Sequence, residues 1–261
     1  VLLSQYLKAR KQMHLLYKVV RADSDKHLAK QFAVADVKGR PENATWVTEE
    51  KRYVEETRGE VNRGFELALW NACSYGFVAA VRVALEVNGV NVNQTDSGGQ
   101  TPLWTASFKG HVEVTKLILT VDGIDVNQGD DTGTTPLYRA AENGHVDVAK
   151  LLIKAGAIVN QASKVGVSPL CIAAENGHVD LVKVIIEADG DVNQANNNGS
   201  TPLFMASQEG HTDIVAILLG TPGIQINQAD NNGTTPLLTA SQLGHTDIVA
   251  ILSGAPGIQI N

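Results

Sequence analysis

Aromatic side chains are scarce in this chain, at 5% of 261 residues, so its core must come mainly from Ala, Leu, Ile and Val. Cysteine is scarcer still. Cys73 and Cys171 stand alone and far apart, which excludes a disulfide framework and a cysteine-built zinc site. Both are expected as buried, reduced thiols, the usual state in a cytoplasmic or nuclear protein. No apolar run approaches the roughly 20 residues that a membrane-spanning helix needs. The sequence holds no His-Glu-x-x-His, no Cys-x-x-Cys, no Gly-x-Ser-x-Gly and no phosphate-cradling glycine loop. With no catalytic constellation and no cofactor motif, a non-enzymatic role without cofactor or metal is expected. The chain begins at Val1 rather than Met, which leaves room for an upstream segment or targeting signal.

Positive charge is lacking in one part of the chain only. Val1 to Phe65 carries 13 Lys/Arg against 9 Asp/Glu, net +4, whereas Glu66 to Asn261 carries 8 against 19, net −11. So acidic a region repels a phosphate backbone, and nucleic acid is not expected as its partner. Hydrophobic content of 43% excludes a wholly disordered chain. Asn43, Asn198 and Asn232 match the glycosylation pattern, but at Asn198 and Asn232 the Asn-Gly step is ordinary turn chemistry.

Proline is rare as well, yet five of the eight prolines sit in one recurring phrase. Thr-Pro-Leu, or Ser-Pro-Leu, begins at 101, 135, 168, 201 and 235, with spacings of 34, 33, 33 and 34. Nine residues into each unit comes Gly-His, at Gly110-His111, Gly144-His145, Gly177-His178, Gly210-His211 and Gly244-His245. Val-Asn or Ile-Asn closes each unit, as at Val126-Asn127 and Ile226-Asn227. A degenerate earlier unit fits the register through Leu67, Leu69, Ala72, Gly76, Gly89 and Val92-Asn93, which makes six.

Each unit predicts two short helices. Thr or Ser caps the first, and Pro occupies its first turn, where a missing N–H costs nothing. Pro136 to Asn143 is such a helix, with a small Ala140-Ala141 pair that lets a neighbour approach closely. Gly144 ends it in the left-handed region. His145 to Lys154 forms the second helix, with Val146, Ala149, Leu152 and Ile153 near one face. Gly156 breaks that helix, and a turn-rich stretch leads on. Neither helix is long enough to be stable alone in water, so the units must stack.

The pattern resembles the ankyrin-repeat family, whose units run Thr-Pro-Leu-His-x-Ala, then Gly-His, then Gly-Ala-Asp-Val-Asn. The resemblance covers about three quarters of the chain and implies an all-α repeat solenoid that binds protein. It divides the chain into a mostly helical N-terminal segment, residues 1–65, and a repeat domain, residues 66–261. Two departures stand out. The family's first-helix His is replaced by Trp104, Tyr138, Cys171, Phe204 and Leu238, which points to an altered binding face. Three units carry an extra residue before Val/Ile-Asn, as in Asp122 to Val126, which lengthens a loop. The resemblance also implies a substrate reading, with hydroxylation at Asn127, Asn160 and Asn193.

In the N-terminal segment, Leu2, Leu3, Tyr6, Leu7, Met13, Leu16, Val19 and Val20 follow a helical spacing beside Lys8, Arg10, Lys11, Lys18 and Arg21. They read as the packing helix of an upstream domain, or as a basic amphipathic helix that meets anionic lipid or a partner helix. Lys38 to Ala44 reads as a loop and Thr48 to Arg63 as a charged helix leading into the first unit.

Five evenly spaced histidines invite a metal reading, which geometry rejects. Units stack about 8–10 Å apart, whereas zinc ligands each sit about 2 Å from the ion. Each His is therefore expected to hydrogen-bond locally at the start of its second helix. Asp125-Val-Asn127 fails as a calcium loop, because Asp130 stands where Gly is needed and Pro136 where Glu is.

What remains is surface. The resemblance places binding on the turn tips and the exposed side of the first helix. The tip positions are Ser97, Gly98, Gln100, Asp131, Thr132, Thr134, Lys164, Val165, Val167, Asn197, Asn198, Ser200, Asn231, Asn232 and Thr234. The helix positions are Phe108, Lys109, Glu142, Asn143, Glu175, Asn176, Gln208, Glu209, Gln242 and Leu243. Phe108, Val165, Val167 and Leu243 are candidate apolar anchors. The expected role is a monomeric scaffold or adaptor for a protein partner, with basic residues favoured by the charge. The alternative is the recognition arm of a larger enzyme, such as a kinase or ubiquitin ligase. The last unit looks like an interior one, so some of Ile248, Ile251 and Leu252 are expected to be less buried than Ile214, Ile217 and Leu218.

Overall fold

The structure, a computed structural model, describes residues 66, 68–86 and 90–259. The readings made for residues 1–65, including the sequon at Asn43, lie outside the described residues.

Helical residues 68–75 and the helix Val78–Leu85 form the degenerate first unit. Five helix pairs follow. They are Pro102–Lys109 with Val112–Ile118, Pro136–Glu142 with Val146–Lys154, and Pro169–Glu175 with Val179–Glu187. Pro202–Gln208 pairs with Thr212–Leu219, and Pro236–Leu243 with Thr246–Ser253. Among the described residues there is no strand.

The caps sit where the sequence puts them. The hydroxyl oxygens of Thr101, Thr135, Ser168, Thr201 and Thr235 each accept the N–H three residues on, at 3.0–3.2 Å. Each first helix ends at a left-handed glycine, Gly110, Gly144, Gly177, Gly210 or Gly244. The following His N–H reaches back to the Ala carbonyl five residues earlier, as His145 does to Ala140 at 2.9 Å. The extra residue of the second unit falls in the loop after Val112–Ile118, where Gly123 turns the chain with positive φ.

First helices pack on neighbouring first helices, and second helices on neighbouring second helices, giving two layers. The small pairs Ser107 with Ala106, Ala140 with Ala141, and Ala173 with Ala174 are fully buried, which lets the first layer close up. Leu103, Leu137, Leu170 and Leu203 run through the core beside Ile118, Leu152, Ile185 and Leu218. The core is continuous from Ala68 to Leu252, as unit-on-unit stacking requires.

Two ladders of side chains rivet the junctions. In one, each closing asparagine grips the next unit's loop. Asn93 donates to the Gly123 carbonyl at 2.8 Å and accepts the Asp125 N–H at 2.9 Å. Asn127, Asn160, Asn193 and Asn227 repeat the clip. The other ladder corrects the histidine reading. The rings make no local cap bond. His111, His145, His178, His211 and His245 instead reach back a whole unit, Nε2 meeting the carbonyls of Ser74, Phe108, Glu142, Glu175 and Gln208 at 2.9–3.1 Å. Each ring lies on the left-handed glycine of the unit before it, which is why a side chain has no room there.

The expectation for the last helix fails at the residues named. Ile248 and Leu252 are as buried as Ile214 and Leu218, and Ile251 is half-buried like Ile217. That stripe packs within its own unit and against the unit before. The exposed positions are others. Leu238 is 44% exposed where Phe204 is 5%, and Val249 is half-buried where Val215 is fully buried.

Candidate partner-binding face

Tip geometry is set by one acceptor per turn. An Oδ1 of Asp96, Asp130, Asn196 or Asp230 accepts two backbone N–H groups, those of the second and fourth residues on. Burial works against the Asp130 carboxylate, yet hydrogen bonds from Thr132 and Thr134 hold its pKa below the ordinary value. At Asp230 the Thr234 N–H leads the same downward shift. Neighbouring tips are joined by one backbone bond each: Asp131 N–H to Gly98, Lys164 to Thr132, Asn197 to Val165, and Asn231 to Asn198. The tips therefore form a fixed row.

The tip before Ser168 departs from this plan. Ser163 replaces the acid, and its buried hydroxyl has no hydrogen-bond partner among the described residues. Its neighbours are Lys164 and Val165, the latter 63% exposed. Val165 is thus the most exposed apolar residue among the four candidate anchors. Val167 is half-buried against the core. Phe108 is half-buried too, stacked on Trp104 at 5.5 Å with the Lys109 ammonium 4.9 Å from its ring. Leu243 is 54% exposed at the far end of the row.

Ser97, Asp131, Thr132, Asn197, Asn198, Asn231 and Asn232 are exposed on the tips, and Gln100 is half-buried. Lys109, Asn143, Asn176, Glu209 and Gln242 are exposed at the first-helix ends, with Glu142, Glu175 and Gln208 half-buried beside them. Two tip positions do not belong to the face. Thr134 and Ser200 are buried, because each sits under its turn as the carbonyl partner that closes it. The substituted row also corrects the reading of an altered face. Trp104, Tyr138, Cys171 and Phe204 are buried beneath the tips, and only Leu238 emerges. Trp104 donates its indole N–H to the Thr134 carbonyl at 2.9 Å, supporting the next tip from below.

Sequence reasoning missed Arg139. Its guanidinium lies 4.8 Å from the Trp104 ring and 5.7 Å from Tyr138, and it pairs with Asp130 at 3.3 Å and Glu142 at 2.7 Å. It ties a tip to a first-helix end and neutralises the acids at that place. The signal available was an arginine in the middle of a capped helix, four residues after Thr135, close to the tip that precedes it.

Glu142, paired with Arg139, is followed at successive first-helix ends by Glu175 and Glu209. No ion pair among the described residues includes Glu175 or Glu209. Burial, then the charges of Glu209 and Glu142, push the Glu175 carboxyl above its ordinary value. Beyond Lys183 the sequence contains no Lys or Arg.

The asparagines that the resemblance offers for hydroxylation, Asn127, Asn160 and Asn193, use both ends of the amide on the next unit. Among the described residues no helix is long and apolar enough to cross a membrane. Both cysteines are buried and free.

A stack of capped helix pairs, riveted at each junction and presenting a row of rigid tips, is the architecture of a protein-interaction module. A family profile described as ankyrin repeats (3 copies) matches residues 47–130, 69–163, 122–196 and 170–261, and the chain belongs to that family. The first match begins at residue 47, inside the segment that the sequence pattern set apart from the repeats. A search of curated proteins found no match to the chain. Ankyrin repeats are generally protein–protein interaction modules and typically non-enzymatic.

Proposed function

We propose that this chain is a scaffold that holds a protein partner against its tip row and first-helix ends, and that the bound segment of the partner is basic. The observation that carries the basic preference is Glu175. It is half-buried, has no cationic partner among the described residues, and lies within the fields of Glu142 and Glu209. A Lys or Arg seated there relieves repulsion that the free protein endures. Val165, exposed on the tip that precedes the same helix, supplies apolar contact. The reduced, buried thiols support a cytoplasmic or nuclear setting.

The test uses a displayed library of random linear peptides, panned against the intact chain. Lys- and Arg-rich sequences are expected to be enriched. Binding should weaken with salt and in the double variant Glu175→Gln, Glu209→Gln. Enrichment of neutral or acidic peptides, or equal binding to the double variant, refutes the basic preference. Peptides that bind elsewhere on the molecule refute the face.

A further inference from the structure

Every tip turn is closed by the same two backbone bonds. In one turn Asp130 N–H donates to the Thr134 carbonyl at 3.1 Å and Gly133 N–H to the Asp130 carbonyl at 2.8 Å. In the next, Ser163 N–H donates to the Val167 carbonyl at 3.0 Å and Gly166 N–H to the Ser163 carbonyl at 2.9 Å. The left-handed glycines agree, with φ +78 at Gly133 and φ +79 at Gly166. A backbone held in this form turns the N–H groups two and four residues on toward one point. In four turns an Oδ1, from Asp96, Asp130, Asn196 or Asp230, accepts both of them at 2.8–3.0 Å.

In the turn 163–167 no described side chain supplies that oxygen. The N–H groups of Val165 and Val167 have no acceptor among the described residues. A serine side chain ends one bond short of an aspartate Oδ1, so Ser163 does not serve both. Its own hydroxyl has no partner among the described residues either, although the residue is only 8% exposed. Two N–H groups and a hydroxyl are thus left unpaired in one turn, and backbone N–H groups grouped in a turn form a concavity that takes an anionic oxygen. The charges nearby favour an anion. Lys164, exposed in the same turn, enters no ion pair among the described residues and is the single charge between Lys154 and Glu175. The following tip, Asn196 to Asn198, is neutral. On the preceding tip Asp130 is paired with Arg139, and the Asp131 Oδ1 lies against Gly99, one tip further back.

We propose that the turn 163–167 is a binding site for one carboxylate, which places an oxygen where the other four turns hold an Oδ1 of their own. The N–H groups of Val165 and Val167 donate to that oxygen, the Ser163 hydroxyl donates to the carboxylate as well, and the Lys164 ammonium balances its charge. The carboxylate comes from an Asp or Glu side chain or from a free chain end, since backbone N–H groups capture both in the same way. That a partner brings it rests on the binding face proposed above, and such a partner then carries an acid for this turn as well as the base that meets Glu175.

The test titrates the intact chain with sodium acetate, against sodium chloride at equal ionic strength, and reads amide proton shifts by nuclear magnetic resonance. Acetate is expected to move the Val165 and Val167 amides downfield and saturably, while the corresponding amides of the other four turns stay in place. Ser163→Asp gives the turn its own Oδ1. That variant is expected to show both amides downfield without acetate, to lose the acetate response, and to unfold at a higher urea concentration. Lys164→Ala should weaken the response without abolishing it. Two Gly/Ser peptides separate the sources: one has a single Glu and an amidated end, the other no acid and a free end. The source is the peptide that moves the two amides at the lower concentration. The proposal is overturned by no movement with acetate, by equal movement with chloride, by a response that survives Ser163→Asp, or by silence with both peptides. Each of those results means that the turn holds water only. A failed binding face is told apart, because the acetate response needs no partner.

Discussion

Two glycines with the same backbone angle isolate what the histidine ladder contributes. Gly177 and Gly244 both have φ +77. An alanine at either incurs the left-handed penalty, about 1–2 kcal/mol, partly offset because glycine is the more flexible in the unfolded chain. About 1 kcal/mol is therefore expected at Gly244, where no described residue lies within 4 Å of the new Cβ. At Gly177 the Cβ would stand 2.7 Å from Cε1 of His211. That ring must shift, and its bond to the Glu175 carbonyl at 2.9 Å is broken or stretched. Losing one such bond adds about 1 kcal/mol, and the disturbed packing adds more. Gly177→Ala should thus cost about 2–3 kcal/mol. Urea unfolding of both variants measures the two values, with the slopes compared to check that the transition stays cooperative. In a His211→Ala background the cost of Gly177→Ala should fall to that of Gly244→Ala, as a double-mutant cycle shows. Equal costs at the two glycines, or no coupling between Gly177 and His211, would mean the rings do not clamp the units together.

Asn193→Ala should cost about 1–3 kcal/mol in urea unfolding, since both amide bonds to the next loop, at 2.9 and 2.8 Å, are lost. Asp189→Gly should stabilise by about 0.5–1 kcal/mol, because Asp189 holds φ +62 where the equivalent residues are Gly123, Gly156 and Gly223. Asp130 gives a pH dependence. Its folded pKa lies below the ordinary carboxylate value, so its stabilisation is present above that value and is lost as the pH falls through the lowered one. Asp130→Asn should flatten that acid limb of the stability–pH curve while leaving the rest of the curve in place.

The helices were legible in the sequence because each is fixed by local chemistry. Thr135, Pro136 and Gly144 together define a start and a stop within ten residues, and the structure places both there. Most of the tip row was legible for the same reason, since Asp130 and Asp230 organise their turns through neighbours two and four residues on. What failed was whatever depends on the next unit. His178 looks like a local cap, but its partner is 36 residues earlier. Trp104 and Tyr138 look like face residues, but the following tip covers them. Thr134 and Ser200 sit at tip positions and still turn inward to close the loop. Ile248 and Leu252 look unpartnered, but their own unit and the one before it bury them. One repeat's sequence records its own turns well and its neighbour's reach poorly.

Hydrogen–deuterium exchange of the intact chain, with and without a selected Lys/Arg-rich peptide, tests the binding face most directly. Protection should appear at the tips around residues 163–167 and 196–200 and at the first-helix ends around Glu142, Glu175 and Glu209. The exposed side of the second helices, at Asp147, Lys150, Asp180 and Glu187, should remain unchanged. Protection confined to those second helices, with the tips and first-helix ends unaffected, would contradict the account.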